Sequence, residues 1–337
     1  MSEKTVMGTV HNNLAEVVWL APMSGSTDAA FRRQAVRFGA DAVVSEMVAG
    51  ETLAAARPDM VRRTCRHEGK GRWIVQLAAR KPEDMRAGAA LVAKAGVDQV
   101  DINMGCPARQ VTGGQSGSAL MREPDLARSI IDAALEGAAG RPVSLKMRLG
   151  WDDGLLNAPE IARYAESVGL RMITVHGRTR CQFYKGTANW AAIRDTVDAV
   201  TVPVVANGDI DGPDSARAAL RLSGADGVMV GRAAMGRPWV LGEIAADLRG
   251  QSFMEPNRET KLDSLVEQIE DSLSLYGVQL GAKIVRKHIS ASIDHLDTSW
   301  SEQERRETRS TVCQIEDPVT LIGALRDIYL EERSLAA

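Results

Sequence analysis

Apolar and polar positions along the chain follow two periods in turn. Short β-rich runs recur at Val17–Leu20, Ala42–Ser45, Trp73–Leu77, Gln99–Asn103, Val143–Met147, Met172–Val175, Val202–Ala206 and Gly227–Val230. Between them, apolar residues three and four apart predict helices over Asp28–Phe38, Pro82–Ala95, Pro124–Ala138, Ala158–Ser167, Trp190–Asp198 and Pro213–Leu222. Only the Gly50–Arg66 connection lacks a clear period. Strands in continuous alternation with helices predict an α/β fold whose eight parallel strands close into a (β/α)8 TIM barrel. The alternative is an open doubly wound sheet, which asks for a glycine fingerprint after an early strand. Gly113-Gly114-Gln115-Ser116-Gly117 has neither the spacing nor the placement.

After Leu248 the alternation stops. Gly250–Glu255 reads as a linker, and the rest carries helical periodicity only: Leu262, Leu265, Val266, Ile269, Leu273 and Tyr276, then Val319, Ile322, Leu325, Ile328 and Tyr329. The predicted organisation is an N-terminal extension over 1–13, a barrel over 14–249 and an all-helical C-terminal domain over 250–337.

Composition narrows the class. With 337 residues, 45% of them hydrophobic, the chain can fill a barrel core and a smaller second core. No apolar run approaches the roughly 20 residues that span a bilayer, and the polar start Met1–Glu16 lacks a signal-peptide core. The expectation is a cytoplasmic monomer without membrane contact. Cys65, Cys106, Cys181 and Cys313 are scattered, so neither a metal site nor a disulfide framework is expected. Net charge is −3, but unevenly placed: residues 250–337 hold 10 Lys/Arg against 16 Asp/Glu. Any nucleic-acid site must therefore be a local patch.

Barrel chemistry collects at the C-terminal ends of the strands. In order, those ends offer Pro22-Met23-Ser24, Ser45-Glu46-Met47, Gln76, Asn103 with Cys106, Lys146 with Arg148, His176 with Arg178, Asn207-Gly208-Asp209 and Gly231-Arg232. Lys146 and Arg148 are two apart on a strand and so share a face. Two cations aimed into a barrel mouth suit an anionic or electron-rich ligand; a solvated or ion-paired strand end is the bland alternative. The small-residue loops Ala206–Asp209 and Val230–Ala234 occupy the last two barrel positions, where barrels often bind phosphate. His176 could be structural, but it stands beside this set. Cys181 is the rival thiol, placed farther out in a loop. In Asn103-Met104-Gly105-Cys106-Pro107, glycine frees the turn and proline fixes it, presenting one thiol at a strand end.

These words, in this order, resemble a known family. Ala21-Pro22-Met23, Val75-Gln76-Leu77, Asp101–Pro107, Lys146-Met147-Arg148, His176-Gly177-Arg178-Thr179, Ala206–Asp209 and Gly231–Trp239 are similar to the tRNA-dihydrouridine synthases, most of all the bacterial B-type. The resemblance implies an oxidoreductase that uses non-covalent FMN, with NADPH as reductant, to reduce a tRNA uridine in the D-loop to 5,6-dihydrouridine. By matched position, Pro22, Met23 and Ser24 line the flavin, Gln76 and Lys146 contact its ring, and His176 is close by. Asn207, Gly208, Asp209, Gly231 and Arg232 hold its chain and phosphate. Asn103 and Arg148 bind the flipped uracil, Arg178 is a further substrate-binding residue, and Cys106 donates the proton. The family's helical tail clasps tRNA, which implies an RNA-facing strip at Lys283, Arg286 and Lys287. Two departures stand out: Ile289-Ser290-Ala291-Ser292 follows the Arg-Lys-His run where relatives often carry aromatics, and the tail is acidic. Two other readings remain at this level: a flavin barrel acting on a small molecule, and a non-catalytic tRNA-binding regulator.

Overall fold

A computed structural model describes residues 18–113 and 116–331. The strands are β1 (Val18–Leu20), β2 (Ala42–Val44), β3 (Val48–Ala49), β4 (Arg72–Ala78), β5 (Gln99–Met104), β6 (Val143–Arg148), β7 (Met172–His176), β8 (Val204–Asn207) and β9 (Gly227–Val230). All pair in parallel, β1 meets both β2 and β9, and β2 meets β4, so the sheet closes. This is the expected barrel. Val17 and the predicted extension over 1–13 lie outside the described residues.

The second barrel position is split. β2 pairs Val44 with Ile74, but β3 pairs Val48 with Leu77, one residue out of step. The extra residue makes a bulge, and Ser45 bridges it: its Oγ accepts from the Gln76 amide at 3.1 Å. β8 starts at Val204 rather than Val202, because Pro203 has no N–H for the ladder.

Helices α1 (Ala29–Arg37), α4 (Pro82–Ala95), α6 (Pro124–Ala138), α7 (Ala158–Ser167), α9 (Pro213–Ser223) and α10 (Val240–Leu248) pack outside the strands, with short α2 (Gly50–Ala54), α3 (Pro58–Thr64), α5 (Arg109–Thr112) and α8 (Arg194–Val197) between them. The unclear Gly50–Arg66 stretch is thus β3's continuation into two short helices. The single helix expected over Trp190–Asp198 is instead a 3-10 turn, Ala191–Ile193, running into α8. Trp190 is drawn out of it: its indole N–H donates to the Gly208 carbonyl at 2.8 Å, in the mouth.

Outward strand residues and inward helix faces make one large apolar core. The barrel interior is different. Trp19, Ala21, Ala42, Val44, Ile74, Met172, Val205 and Met229 fill part of it with apolar side chains. The side facing β5 and β6 is polar: Gln99, Asp101 and Asn103, with Ser144, Lys146 and Arg148. Two-residue alternation along each strand puts these together.

The last helices among the described residues are α11 (Arg258–Tyr276), α12 (Val278–Asp294), α13 (Glu302–Gln314) and α14 (Pro318–Leu330). They bury a cluster of their own around Ile269, Val285, Ile289, Leu325 and Ile328. α11 and α12 also clamp α1. Arg33 donates two hydrogen bonds to Asp271, at 2.8 and 2.9 Å, and Arg37 one to Glu267 at 2.7 Å. His288 lies fully buried against Phe31, ring centroids 4.4 Å apart. No helix among the described residues is long and apolar enough to cross a membrane.

Candidate active site

The C-terminal strand ends open into a cavity of about 720 Å³. Of the residues singled out from sequence, Pro22, Met23, Ser24, Gln76, Asn103, Cys106, Lys146, Arg148, His176, Asn207, Gly208, Asp209, Gly231 and Arg232 all line it. Arg178 does not. It is buried behind the wall, where its guanidinium takes both oxygens of Asp209, at 3.0 and 2.5 Å, and the Lys185 and Gly186 carbonyls. Lys283, Arg286 and Lys287 lie on α12, away from the lining. The Lys287 ammonium donates to the Gly25 carbonyl, tying the C-terminal helices to the loop after β1.

Cys106 sits in a turn held from three sides. The Asn103 carboxamide oxygen accepts from the amides of Gly105 (3.2 Å) and Cys106 (3.0 Å). Ser118 donates to the Cys106 carbonyl through its amide (3.1 Å) and hydroxyl (2.8 Å). Gly117, at φ +59°, lies against the same turn; a Cβ there would come within 2.9 Å of the Cys106 carbonyl oxygen. The thiol is half-buried, whereas that of Cys181 is exposed.

Below the turn runs a chain of buried side chains. Asn103 Nδ2 donates to Gln76 Oε1 at 2.7 Å, and Gln76 Nε2 donates to Asp101 Oδ2 at 2.7 Å. Ser144 Oγ donates to Asp101 Oδ1 at 2.5 Å and accepts from Gln99 Nε2 at 2.7 Å. Burial pushes the Asp101 carboxyl above its usual range, against the pull of Ser144, Gln76 and Lys146.

The cations stand beside this chain. Strand register places Arg148, His176 and Asn207 side by side. Lys146 Nζ donates to Asn207 Oδ1 at 2.9 Å. Burial, helped by the nearby Arg148 charge, lowers the ammonium to about 8. Arg148 donates to the carbonyls of Gly105 (2.9 Å), Thr179 (2.8 Å) and Phe183 (2.8 Å). Burial lowers it to about 10. His176 Nε2 lies 3.3 Å from Arg178 Nη1. A guanidinium only donates, so Nε2 accepts and the ring's single proton sits on Nδ1. Burial and four surrounding cations hold the ring's pKa well below its ordinary value, keeping it neutral.

Tyr184 and Asp101 were not singled out from sequence. Tyr184 lines the cavity, its ring flanked by the Arg148 and Arg232 guanidiniums at 5.6 and 5.4 Å. Nothing in the loop's sequence aims that ring inward. Asp101 did leave a signal: Gln99, Asp101 and Asn103 are polar at alternate positions of an otherwise apolar strand.

The dihydrouridine synthase family model matches residues 19–328. A Rhodobacter capsulatus protein named "probable tRNA-dihydrouridine synthase" is 47% identical over 94% of this chain and 96% of its own length. One of the same name from Rickettsia conorii is 43% identical over 94% of each. A tRNA-dihydrouridine synthase B from Xanthomonas axonopodis is 39% identical, again over 94% of each.

Proposed function

The chain belongs to the dihydrouridine synthase family, and on that premise we propose how it reduces uridine in tRNA: with FMN held in the barrel mouth, NADPH as reductant and Cys106 as proton donor. The observation that carries this reading is the meeting of one pinned thiol with the Lys146–Arg148 cation pair in a single cavity. Its volume of about 720 Å³ lies within the roughly 300–1,000 Å³ of small-molecule and cofactor sites.

The donor set suits FMN. Lys146 supplies a cation for an electron-rich ring edge, with Gln76 and His176 beside it. A Cβ added at Gly231 would meet nothing nearer than Met23 Sδ at 3.6 Å, so this side of the mouth has room for a ligand. Pro22, Met23 and Ser24 line the mouth on one side of Gly231, and Asn207, Gly208 and Asp209 on the other. Arg232, with its side chain 66% exposed, can reach a phosphate. FMN, when bound, supplies a hydride to C6 of the uracil.

The rest is the work of the protein. The target uridine must leave its stack, at a cost of a few kcal/mol, before it reaches the mouth. Arg148 has three carbonyl partners and keeps Nη2 for the uracil; with Asn103 it stabilises charge developing on the uracil oxygens. Cys106 Sγ delivers its proton to C5. NADPH and RNA share one mouth and therefore visit it in turn. The target is a D-loop uridine, with the C-terminal helices, Lys283 and Arg286 among them, bracing the tRNA.

Purified protein should carry flavin absorbance and form dihydrouridine in tRNA, read by mass spectrometry. Cys106→Ala should keep the flavin but slow dihydrouridine formation about a hundredfold or more. Cys181→Ala should be nearly silent. An exchange of those two outcomes would remove Cys106 from its role, and tRNA from a deletion strain with unchanged dihydrouridine would remove the activity.

A further inference from the structure

The loop after β7 carries a feature that the reduction chemistry leaves unused. In a chain with only 4% aromatic residues, Phe183 and Tyr184 stand consecutively at the lip of the cavity, 41% and 49% exposed. Their rings meet edge to face, centroids 4.8 Å apart. Tyr184 lines the cavity, whereas Phe183 stands outside the lining and packs into neither core.

Phe183 is held there against its backbone preference. Its φ is +56°, a left-handed conformation that costs a bulky L-residue roughly 1–2 kcal/mol. The loop is built to keep it so. Thr179 and Gln182 exchange hydrogen bonds at 2.7 and 3.3 Å, and the Phe183 amide donates to the Arg180 carbonyl at 3.0 Å. Arg148 grips the Phe183 carbonyl at 2.8 Å, and Arg178 those of Lys185 and Gly186 at 3.1 and 2.7 Å. Three hydrogen bonds within the loop and three more from two buried guanidiniums thus hold a partly exposed apolar ring at the rim. Core packing does not explain this, because the ring belongs to neither apolar cluster.

We propose that Phe183 is a base-stacking platform: it receives the nucleobase next to the uridine that has swung into the cavity. Extruding one nucleotide leaves its neighbour with an unstacked face, and an aromatic ring at the rim restores that stack. The surroundings suit an RNA backbone, since the exposed Arg232 flanks the Tyr184 ring and the exposed Lys185 follows it in the loop. Any base has a π face, so such a platform supplies affinity and places the substrate without reading sequence. This inference rests on the reading of the cavity as a uridine-reducing site.

The test uses the flavin-loaded full chain and an unmodified tRNA transcript. The reduced uridine is first located by mass spectrometry, and a second transcript is made abasic at each neighbouring nucleotide in turn. Phe183→Ala should weaken binding of the intact transcript about 5- to 100-fold, the range for loss of one stacked base. It should keep its flavin absorbance. For one abasic transcript, wild type and Phe183→Ala should bind equally, and Phe183→Trp should restore the preference for the intact RNA. Phe183→Gly loses the ring but relaxes the backbone, so it should bind as weakly as alanine without unfolding earlier. Turnover with unchanged affinity in Phe183→Ala, or losses that add in the variant and abasic RNA, would overturn the platform and leave the activity standing. Absence of dihydrouridine formation on any tRNA by wild type would sink the function and the platform with it.

Discussion

Cys106 owes its position in part to Asp101, which is buried below the cavity and is not among its lining residues. Asn103 could point either end of its carboxamide at the Cys106 turn, and only the oxygen fits two amide N–H groups. That orientation is enforced from below: Asn103 Nδ2 needs the oxygen of Gln76, and Gln76 Nε2 needs an oxygen of Asp101. Whether or not Asp101 carries a proton on the oxygen facing Ser144, its Oδ2 accepts. Asp101→Asn offers Gln76 an NH₂ group and lets the series of amides invert. Dihydrouridine formation in a single turnover should fall on the order of tenfold or more, with flavin retained, because small displacements of a reacting group are costly. An unchanged single-turnover rate would show that the turn holds Cys106 unaided.

At the scale of elements, the acidic charge of the C-terminal helices is partly spent inside the molecule. Glu267 and Asp271 on α11 face Arg33, Gln34 and Arg37 on α1. Two side chains of the Arg-Lys-His run of α12 are spent likewise, since Lys287 binds the Gly25 carbonyl and His288 the Ser26 carbonyl. Of that basic strip, Lys283 is left exposed and Arg286 half-buried. The backbones of the two parts come close at Gly236, where φ is +68° and a Cβ would stand 2.2 Å from the Ser292 amide nitrogen on α12. Gly236→Ala must therefore both strain the backbone and push α12 away. It should destabilise the fold by about 2 kcal/mol or more and lower tRNA affinity, while the strand-end cavity keeps its flavin. Thermal unfolding and flavin absorbance on the same sample check this; loss of flavin with an unchanged melting temperature would contradict it.

Across the whole molecule, burial sets the acid response. His67 is held down to about 4 by burial and the Arg32 and Arg66 charges, and His288 to about 3 by burial and Lys287. His288 Nε2 donates to the Ser26 carbonyl at 3.1 Å, so a second proton would land on a buried Nδ1 that has no partner. The unfolded chain binds that proton near 6.5 and the folded one only near 3. The stability this histidine contributes is thus fully present above about 6.5 and lost as pH falls toward 3. Asp28 works the other way: burial raises it to about 6, so its contribution fades as pH rises through that value. His288→Gln can keep the bond to Ser26 without titrating. It should shrink the stability lost between pH 7 and pH 5 by up to about 2 kcal/mol, measured by denaturant unfolding at the two pH values. An identical loss in both proteins would exclude this histidine as the source.

The barrel and most of its mouth were legible in the sequence because they depend on two local periods. Alternation along a strand decides which residues face inward, so Lys146 and Arg148 were placed on one face from their spacing, and Gln76, Asn103 and His176 from the strand ends that carry them. A strand's C-terminal end faces the same way in every βα unit, so the ends could be read as one site. The barrel helices followed from their 3.6-residue period, except at Trp190, whose indole is claimed by the Gly208 carbonyl across a loop. What the sequence left open was contact between distant parts. The tail's basic run had a predictable helix but no predictable facing, because docking on α1 chose which side to bury. Arg178 looked like its neighbour Arg148, yet it lies behind the wall, gripping Asp209. Asp101, Tyr184 and Phe183 acquired their places only when β4–β6 and the β7 loop came together. Local pattern fixes which face a side chain takes; the partner waiting there is set by residues far along the chain, and only the folded barrel brings them within hydrogen-bonding distance.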